Sequence, residues 1–491
     1  MLAPIDRDRP GGSPYDPRMP RTPPSLRLLA ALAGLLIYAE SGWTETVLVV
    51  CPPELRPAMS DWRRLREQAG RRVTFVDPGS PPDRVPRRKG ERLVLLLVGD
   101  GALAGEATGK MPARIIRRYG PESTIATDQT VRSQYGADCV ARLPFNDPGS
   151  LSRYLARVIR REERPINWSD TRVQIAAGIG GFSPMIDAAI EGSARRLLEG
   201  LAPLDAEVSL RRGEALGSDE PYTTPGGVWV WLGHGLRNRL PSVPSARVTE
   251  ISRGADVAVL VACYAGDFAA PGRCVAEQML DSPEGPLAVI ASTRVSMPYG
   301  NARLAGELLR GLGAPSALPV GEVLSVARRR SLAESDSPLL ASLDPIARLL
   351  GADPGMLAVE RQEHAAMYVL LGDPLLDVRR TTPHSFTLSD TTSPGSELIV
   401  EGWADSPGEL RVELNRDRFI LDGGERRSAS SIWMIDAPGE YRVTVKAPVE
   451  WRPGGATVRV GLRSDKGLAV GAATVRIEKP LAVAERPVVV K

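Results

Sequence analysis

Histidine and cysteine are scarce: the 491 residues include 3 histidines and 4 cysteines. None of them falls into the close pairings by which a zinc or other transition-metal site shows itself, so neither a metal nor another cofactor is expected. Charge of one sign is lacking too. Lys+Arg at 62 against Asp+Glu at 59 leaves a formal +3, which supplies no global field to draw the protein to nucleic acid, and no nucleic-acid partner is expected. No apolar run reaches the roughly 20 residues of a membrane-spanning helix, so no permanent span is expected. No internal repeat or low-complexity block stands out, and Gly99-Asp100-Gly101 lacks the rest of a phosphate-binding loop.

What is present is the balance of a folded globular chain, 43% hydrophobic and 25% charged, long enough for about three domains at roughly 150 residues each. Arg18, Arg21 and Arg27 precede the apolar run Leu28 to Tyr38, followed by the small residues of Ala39-Glu40-Ser41. That order reads as a signal peptide within an N-terminal extension, 1–41, and places the mature protein outside the cytoplasm: secreted, periplasmic or in the cell envelope. In an exported chain the cysteines are able to pair, and Cys51 with Cys139 is one candidate bridge.

The pattern then divides into three. From 43 to 168, TVLVVC, RVTFVD and RLVLLLVGD read as strands, with a helical stretch over Trp62 to Ala69. A closing helix carries Leu151, Tyr154, Leu155, Val158 and Ile159 at helical spacing, capped by Asp147 or Ser150. From 169 to 380, RVQIAAGIGG, a helix near Asp187 to Leu198, and the strands VWVWLG, DVAVLVA and PLAVIAST form a second α/β unit. Strands apolar on both alternating sets predict a parallel sheet covered on both faces by helices. From 385 to 480 the runs become short and alternating, as in ELIVEGWA and GEYRVTVKA, which predicts a β-sandwich of immunoglobulin type, followed by a tail at 481–491.

The chemistry lies at two strand ends. His234, between Gly233 and Gly235, follows one buried strand; Cys263 ends the next, about thirty residues later. Neighbouring parallel strands bring their C-terminal ends together about 4.8 Å apart, where open α/β sheets bind ligands. A thiolate nucleophile needs a base beside it, which His234 supplies, and an acyl intermediate needs N–H donors, for which Gly235 and Cys263 are placed. Taken singly, a cysteine ending a strand and a histidine beside glycine also fit structural roles. Asp267 reads as a helix cap, Gly372-Asp373-Pro374 as a turn leading into a strand, and His364 and His384 as residues without a matching second ligand.

The ordered set GHG, ACYAGDF, PGRCVAEQML, PLAVIASTRVSMPYGN and LGDPLLDV, preceded by VGDGALAGEATGKMPARI and ARLPFNDPGSLSRYLARVIRREE, resembles segments of the gingipain family over roughly residues 45 to 380. The resemblance implies two caspase-like, three-layer α/β/α subdomains followed by an immunoglobulin-like domain. It implies a cysteine endopeptidase acting on protein or peptide substrates, with Cys263 as nucleophile, His234 as proton donor to the leaving amine, and Gly235 with Cys263 as oxyanion donors. It gives Cys274 a packing role. Two departures accompany it. The family's acid before the Gly-Gly of the unit's first strand is here Ile179, and the acid that selects a basic P1 residue falls at Ile190, leaving Asp187 as a nearby substrate-binding candidate. A transpeptidase using the same pair, and a binding protein that keeps the fold without catalysis, are the alternative expectations.

Overall fold

The computed structural model describes residues 45–478, except 82–89, 102–110, 112–113, 118–123, 180–204, 213–226, 242, 244–246, 314–317, 334–337, 350, 378–380, 417–418 and 422–427. The signal-like segment, the helix expected near Asp187, the tail at 481–491, and Asp187 and Ile190 themselves lie outside the described residues.

Among the described residues, twelve strands precede residue 380: β1 Thr46–Val50, β2 Arg72–Val76, β3 Leu93–Val98, β4 Arg114–Arg117, β5 Thr124–Thr127, β6 Cys139–Leu143, β7 Arg172–Ile179, β8 Asp205–Arg212, β9 Val228–Leu232, β10 Val257–Val261, β11 Ala288–Ser292 and β12 Tyr368–Gly372. The described α-helices are α1 Ser60–Gln68, α2 Gln129–Tyr135, α3 Pro148–Glu163, α4 Val275–Asp281, α5 Pro298–Gly313, α6 Val320–Leu332, α7 Pro338–Leu349 and α8 Pro354–Met367. The described residues beyond 380 form ten further strands: β13 Thr382–Pro383, β14 Phe386–Leu388, β15 Thr391–Thr392, β16 Glu397–Ala404, β17 Gly408–Arg416, β18 Phe419–Leu421, β19 Ser428–Ile435, β20 Gly439–Lys446, β21 Gly454–Ser464 and β22 Gly467–Ile477.

One large sheet runs β18-β8-β7-β9-β10-β11-β12-β6-β3-β1-β2. Its strands are parallel except at β12, which is antiparallel to β11 and parallel to β6. The two halves therefore run in opposite directions, and the C-terminal ends of β9, β10 and β11 share one edge. The fully apolar runs of β1 and β3 have the expected consequence: Val47, Val49, Val94 and Leu96 enter one core with Leu55, Trp62 and Leu151. Leu48, Val50, Leu95 and Leu97 enter another on the opposite face, with Met111 and Ala137. Such double burial is what a helix-covered parallel sheet requires.

Local chemistry sets the helix starts. Asp147 accepts a 2.7 Å hydrogen bond from the Ser150 N–H with Pro148 in the first turn of α3, resolving the choice of cap in favour of the aspartate. Gly372-Asp373-Pro374 is a turn that leaves strand β12 rather than one that enters a strand. The fully buried Asp373 carboxylate accepts from Trp62 Nε1 at 2.5 Å, Arg66 at 2.6 Å and the Leu375 N–H at 2.9 Å. Arg66 also forks onto Glu162, with both bonds at 2.7 Å, so this cluster ties α1 and α3 to the end of β12.

The cysteines form no bridge; all four are free. Strand β3 separates Cys139 on β6 from Cys51 just past β1, and their register differs as well, since Cys139 is level with Val94 whereas Val50 is level with Leu97. Two strand spacings are already about 9–10 Å, beyond the roughly 7 Å Cα reach of a disulfide. The Cys51–Cys139 expectation is corrected accordingly.

Beyond residue 380, β16 and β20 with β14 form one sheet, and β13-β22-β21-β17-β19 form another with β15 on β22. Their inner residues, among them Val400, Val443, Val412 and Val458, make a common apolar core. This region is tied to the large sheet at two places. Strand β18 pairs with β8. Trp168, just before β7, donates its indole N–H to Glu413 at 2.7 Å and lies 4.3 Å under the Arg459 guanidinium.

Candidate active site

Strands β9 and β10 are direct parallel neighbours, with Val257 opposite Val228 and Val261 opposite Leu232. Continued two residues beyond the last pair, that register puts Cys263 opposite His234. The ladder persists past the strands, because the Gly233 N–H donates to the Val261 carbonyl at 3.2 Å. The next residue requires glycine: a Cβ on Gly235 would lie 2.6 Å from the Cys263 carbonyl oxygen and 2.7 Å from the Ala262 Cβ. The histidine loop thus runs directly against the cysteine backbone. The fully buried Trp231 anchors it, donating its indole N–H to the His234 carbonyl at 3.1 Å. His234 is exposed and Cys263 half-buried.

Past Cys263 the chain turns sharply. Tyr264 has φ 58°, the one positive φ at a non-glycine among the described residues, a conformation that costs of order 1–3 kcal/mol and clusters at functional sites. It is held by its N–H donating to the Arg294 carbonyl at 3.1 Å and by the Asp267 N–H donating to the Tyr264 carbonyl at 3.0 Å.

The loop after β11 supplies a wall that sequence reading missed. The Ser296 N–H donates toward Cys263 Sγ at 3.3 Å, with the Ser296 carbonyl oxygen and Oγ at 3.6 and 3.8 Å from the same sulfur. Asn301 Nδ2 donates to Ser296 Oγ at 3.0 Å, and Tyr368 Oη donates to Asn301 Oδ1 at 2.6 Å. Burial pushes the Tyr368 phenol far up. His364, read in the sequence as lacking a matching second ligand, accepts from the Met297 N–H through Nε2 at 3.0 Å and meets the Glu360 carbonyl through Nδ1 at 2.8 Å. The geometry selects the Nδ1–H tautomer, with a buried imidazole clamping the wall loop.

Asp267 is not the helix cap expected of it. Helix α4 begins only at Val275, with Cys274 at its N-cap. The buried Asp267 carboxylate instead pairs with Arg294 at 2.5 Å on the wall loop and faces Arg237, from the histidine loop, at 3.8 Å. It therefore links the segments on either side of Cys263. Cys274 is fully buried, and its side chain accepts from the backbone N–H of Glu277 while Glu277 accepts from the Cys274 N–H at 2.8 Å. That agrees with a packing role and with its being free. Desolvation, opposed by the hydrogen bond from Cys274 and reinforced by Asp100, lifts the Glu277 carboxyl to about 7. Ile179 ends β7, one strand from β9, and the Gly-Gly after it lies outside the described residues.

A thiol and an imidazole at adjacent strand ends of a doubly covered α/β sheet are the parts of a cysteine hydrolase. The chain belongs to peptidase family C25, the gingipain family, whose pattern matches residues 43–379, and it is a cysteine-type peptidase acting on proteins or peptides. Solved structures share the fold, two of them matching 88% of this chain. One is the complex of the pro- and mature domains of RgpB from Porphyromonas gingivalis, at TM-score 0.52 and 17% identity over 88% of this chain and 100% of that one. The other is a protease, at TM-score 0.52 and 12% identity over 88% of this chain and 97% of that one. No curated protein sequence matches the chain. Among the described residues, no helix is long and apolar enough to cross a membrane.

Proposed function

We propose that the chain is an exported cysteine endopeptidase in which Cys263 attacks the scissile carbonyl and His234 moves the proton. The observation that carries this reading is the β9–β10 register, with the Gly235 loop pressed against the Cys263 backbone. In the acylation step the sulfur bonds to the carbonyl carbon, the developing oxyanion accepts from the N–H groups of Gly235 and Cys263, the C–N bond breaks, and His234 protonates the departing amine. Water, deprotonated by the same imidazole, then releases the acyl group and regenerates the thiol.

The proposal includes two caspase-like subdomains, 43–168 and 169–380, an immunoglobulin-like domain at 385–480, a cleaved signal within 1–41, and Asp187 as a substrate-binding acid. A peptide-library cleavage profile of wild type beside Cys263→Ala and His234→Ala tests the chemistry. Cleavage by wild type alone is expected, and a Cys263→Ala protein that still cleaves the library would end the proposal. Asp187→Ala in the same experiment tests the acid, with a loss of preference for basic P1 residues expected.

A further inference from the structure

We propose that Ser296 is a further catalytic residue, whose backbone and side chain hold the Cys263 sulfur, and that Asn301 and Tyr368 are positioning residues that aim its hydroxyl. The inference rests on Cys263 being the nucleophile.

The hydrogen bonds run in one direction, from Tyr368 toward Cys263. Tyr368 is 1% exposed, and its hydroxyl donates to Asn301 Oδ1 at 2.6 Å. With Oδ1 so occupied, the amide turns Nδ2 toward Ser296 Oγ at 3.0 Å. Ser296 Oγ then accepts from the amide, and its own proton has two acceptors in reach, Cys263 Sγ at 3.8 Å and the Tyr368 hydroxyl oxygen. The Ser296 N–H already donates to that sulfur at 3.3 Å. Residue 296 also serves the protonated state, since its carbonyl oxygen lies 3.6 Å from Sγ and accepts the S–H. When the proton leaves, Sγ changes from donor to acceptor, and both Ser296 donors are in place with no movement of the backbone. The wall is kept in register from behind by His364 on the Met297 N–H at 3.0 Å and by Glu360 on the Gly300 N–H at 2.7 Å. A Cβ on Gly300 would meet the His364 ring at 2.3 Å, so this approach is also sterically matched.

Donors aimed at a charged acceptor count about twice as much as those aimed at a neutral one, so the thiolate gains most. The test is the rate of Cys263 alkylation by iodoacetamide, read by mass of the Cys263 peptide at neutral and alkaline pH, together with turnover of fluorescein-labelled casein. Ser296→Ala and Tyr368→Phe each remove one hydroxyl with little change of shape. Each is expected to lower the neutral-to-alkaline rate ratio, Ser296→Ala by about tenfold, the scale of one hydrogen bond to a charged group, and to lower kcat while leaving KM within about twofold. Asn301→Asp reports on the direction of the chain, because a carboxylate accepts from Tyr368 and from the Ser296 hydroxyl together and pulls that proton off the sulfur. It is expected to match Ser296→Ala, and the double variant to be no worse than either single. Folding is checked by thermal unfolding; should Asn301→Asp not fold, Ser296→Ala and Tyr368→Phe decide the matter. A folded Ser296→Ala protein with a wild-type rate ratio and kcat would overturn the inference while leaving the nucleophile intact. Casein cleavage by Cys263→Ala would instead overturn the reading on which it rests.

Discussion

Gly235→Ala probes the contact between the histidine loop and the cysteine directly. The added methyl would sit 2.6 Å from the Cys263 carbonyl oxygen, 2.7 Å from the Ala262 Cβ and 3.3 Å from the Cys263 N. Ordinary carbon contacts are about 3.5–4.0 Å, so the two loops must separate by roughly 1 Å. Gly235 has no left-handed φ, so backbone preference adds nothing to the cost. Overpacking of this kind costs about 1–3 kcal/mol of stability. The same 1 Å displaces His234 from Cys263 and shifts the N–H groups that would receive the oxyanion, for which a loss of about a hundredfold in turnover is expected. Denaturant unfolding and casein turnover at saturating and limiting substrate measure the two effects on one preparation. Gly439→Ala, whose Cβ would meet nothing within 4 Å, is the control and is expected to be silent in both. Wild-type turnover in a folded Gly235→Ala protein would refute the idea that this close approach builds the site.

Three further expectations concern the support around it. Asp267→Asn removes the carboxylate that Arg294 and Arg237 face, while Arg237 keeps the Asp267, Ala270 and Gly272 carbonyls and Arg294 that of Thr293; the loss is expected below the about 3–5 kcal/mol of a fully buried broken pair, and unchanged stability on denaturant unfolding would show that the pair does not link the loops. Glu277 has its folded value raised by burial to about 7 from 4.5, so it stabilises the fold fully below the unfolded value, and that contribution is lost as pH rises from about 4.5 through 7. Glu277→Gln should therefore gain on wild type across this window, by at most about 3 kcal/mol, and a stability difference independent of pH would contradict the assignment. Gly461→Ala would press a Cβ 2.0 Å from the Trp168 ring; it is expected to loosen the C-terminal strands from the large sheet and speed proteolytic nicking between them, and an unchanged nicking rate would count against that seam.

The parts legible in sequence were those whose cause is local. Runs such as LVLLLV and VAVLV are apolar on both faces, and a strand of that kind has one stable setting, inside a sheet covered twice. His234 and Cys263 were legible because each follows such a strand, which fixes its edge of the sheet. Ser296, Asn301 and Tyr368 were not, since a serine in a loop, an asparagine in a helix and a tyrosine opening a strand have no pattern until tertiary structure joins them. The one available signal was their joint descent from the two strands flanking the site's edge, β11 and β12. His364 was read only as lacking a second metal ligand, because the Met297 N–H and Glu360 carbonyl that it meets are backbone groups, which no sequence displays. Asp267 was misread because a carboxylate after a turn looks the same whether it caps a helix or bridges two arginines from distant segments. The Cys51–Cys139 pairing failed on strand order: β3, not a third element from elsewhere, lies between β1 and β6.

Covalent capture tests the central claim most directly. Wild type, Cys263→Ala and His234→Ala are incubated with a library of peptidyl chloromethyl ketones, which alkylate a cysteine held where it attacks a bound carbonyl, and the adduct is located by peptide mapping. The account predicts one adduct, on Cys263, formed faster in wild type than in His234→Ala and absent from Cys263→Ala. An adduct on any other residue, or Cys263 labelled no faster than in the denatured chain, would contradict it.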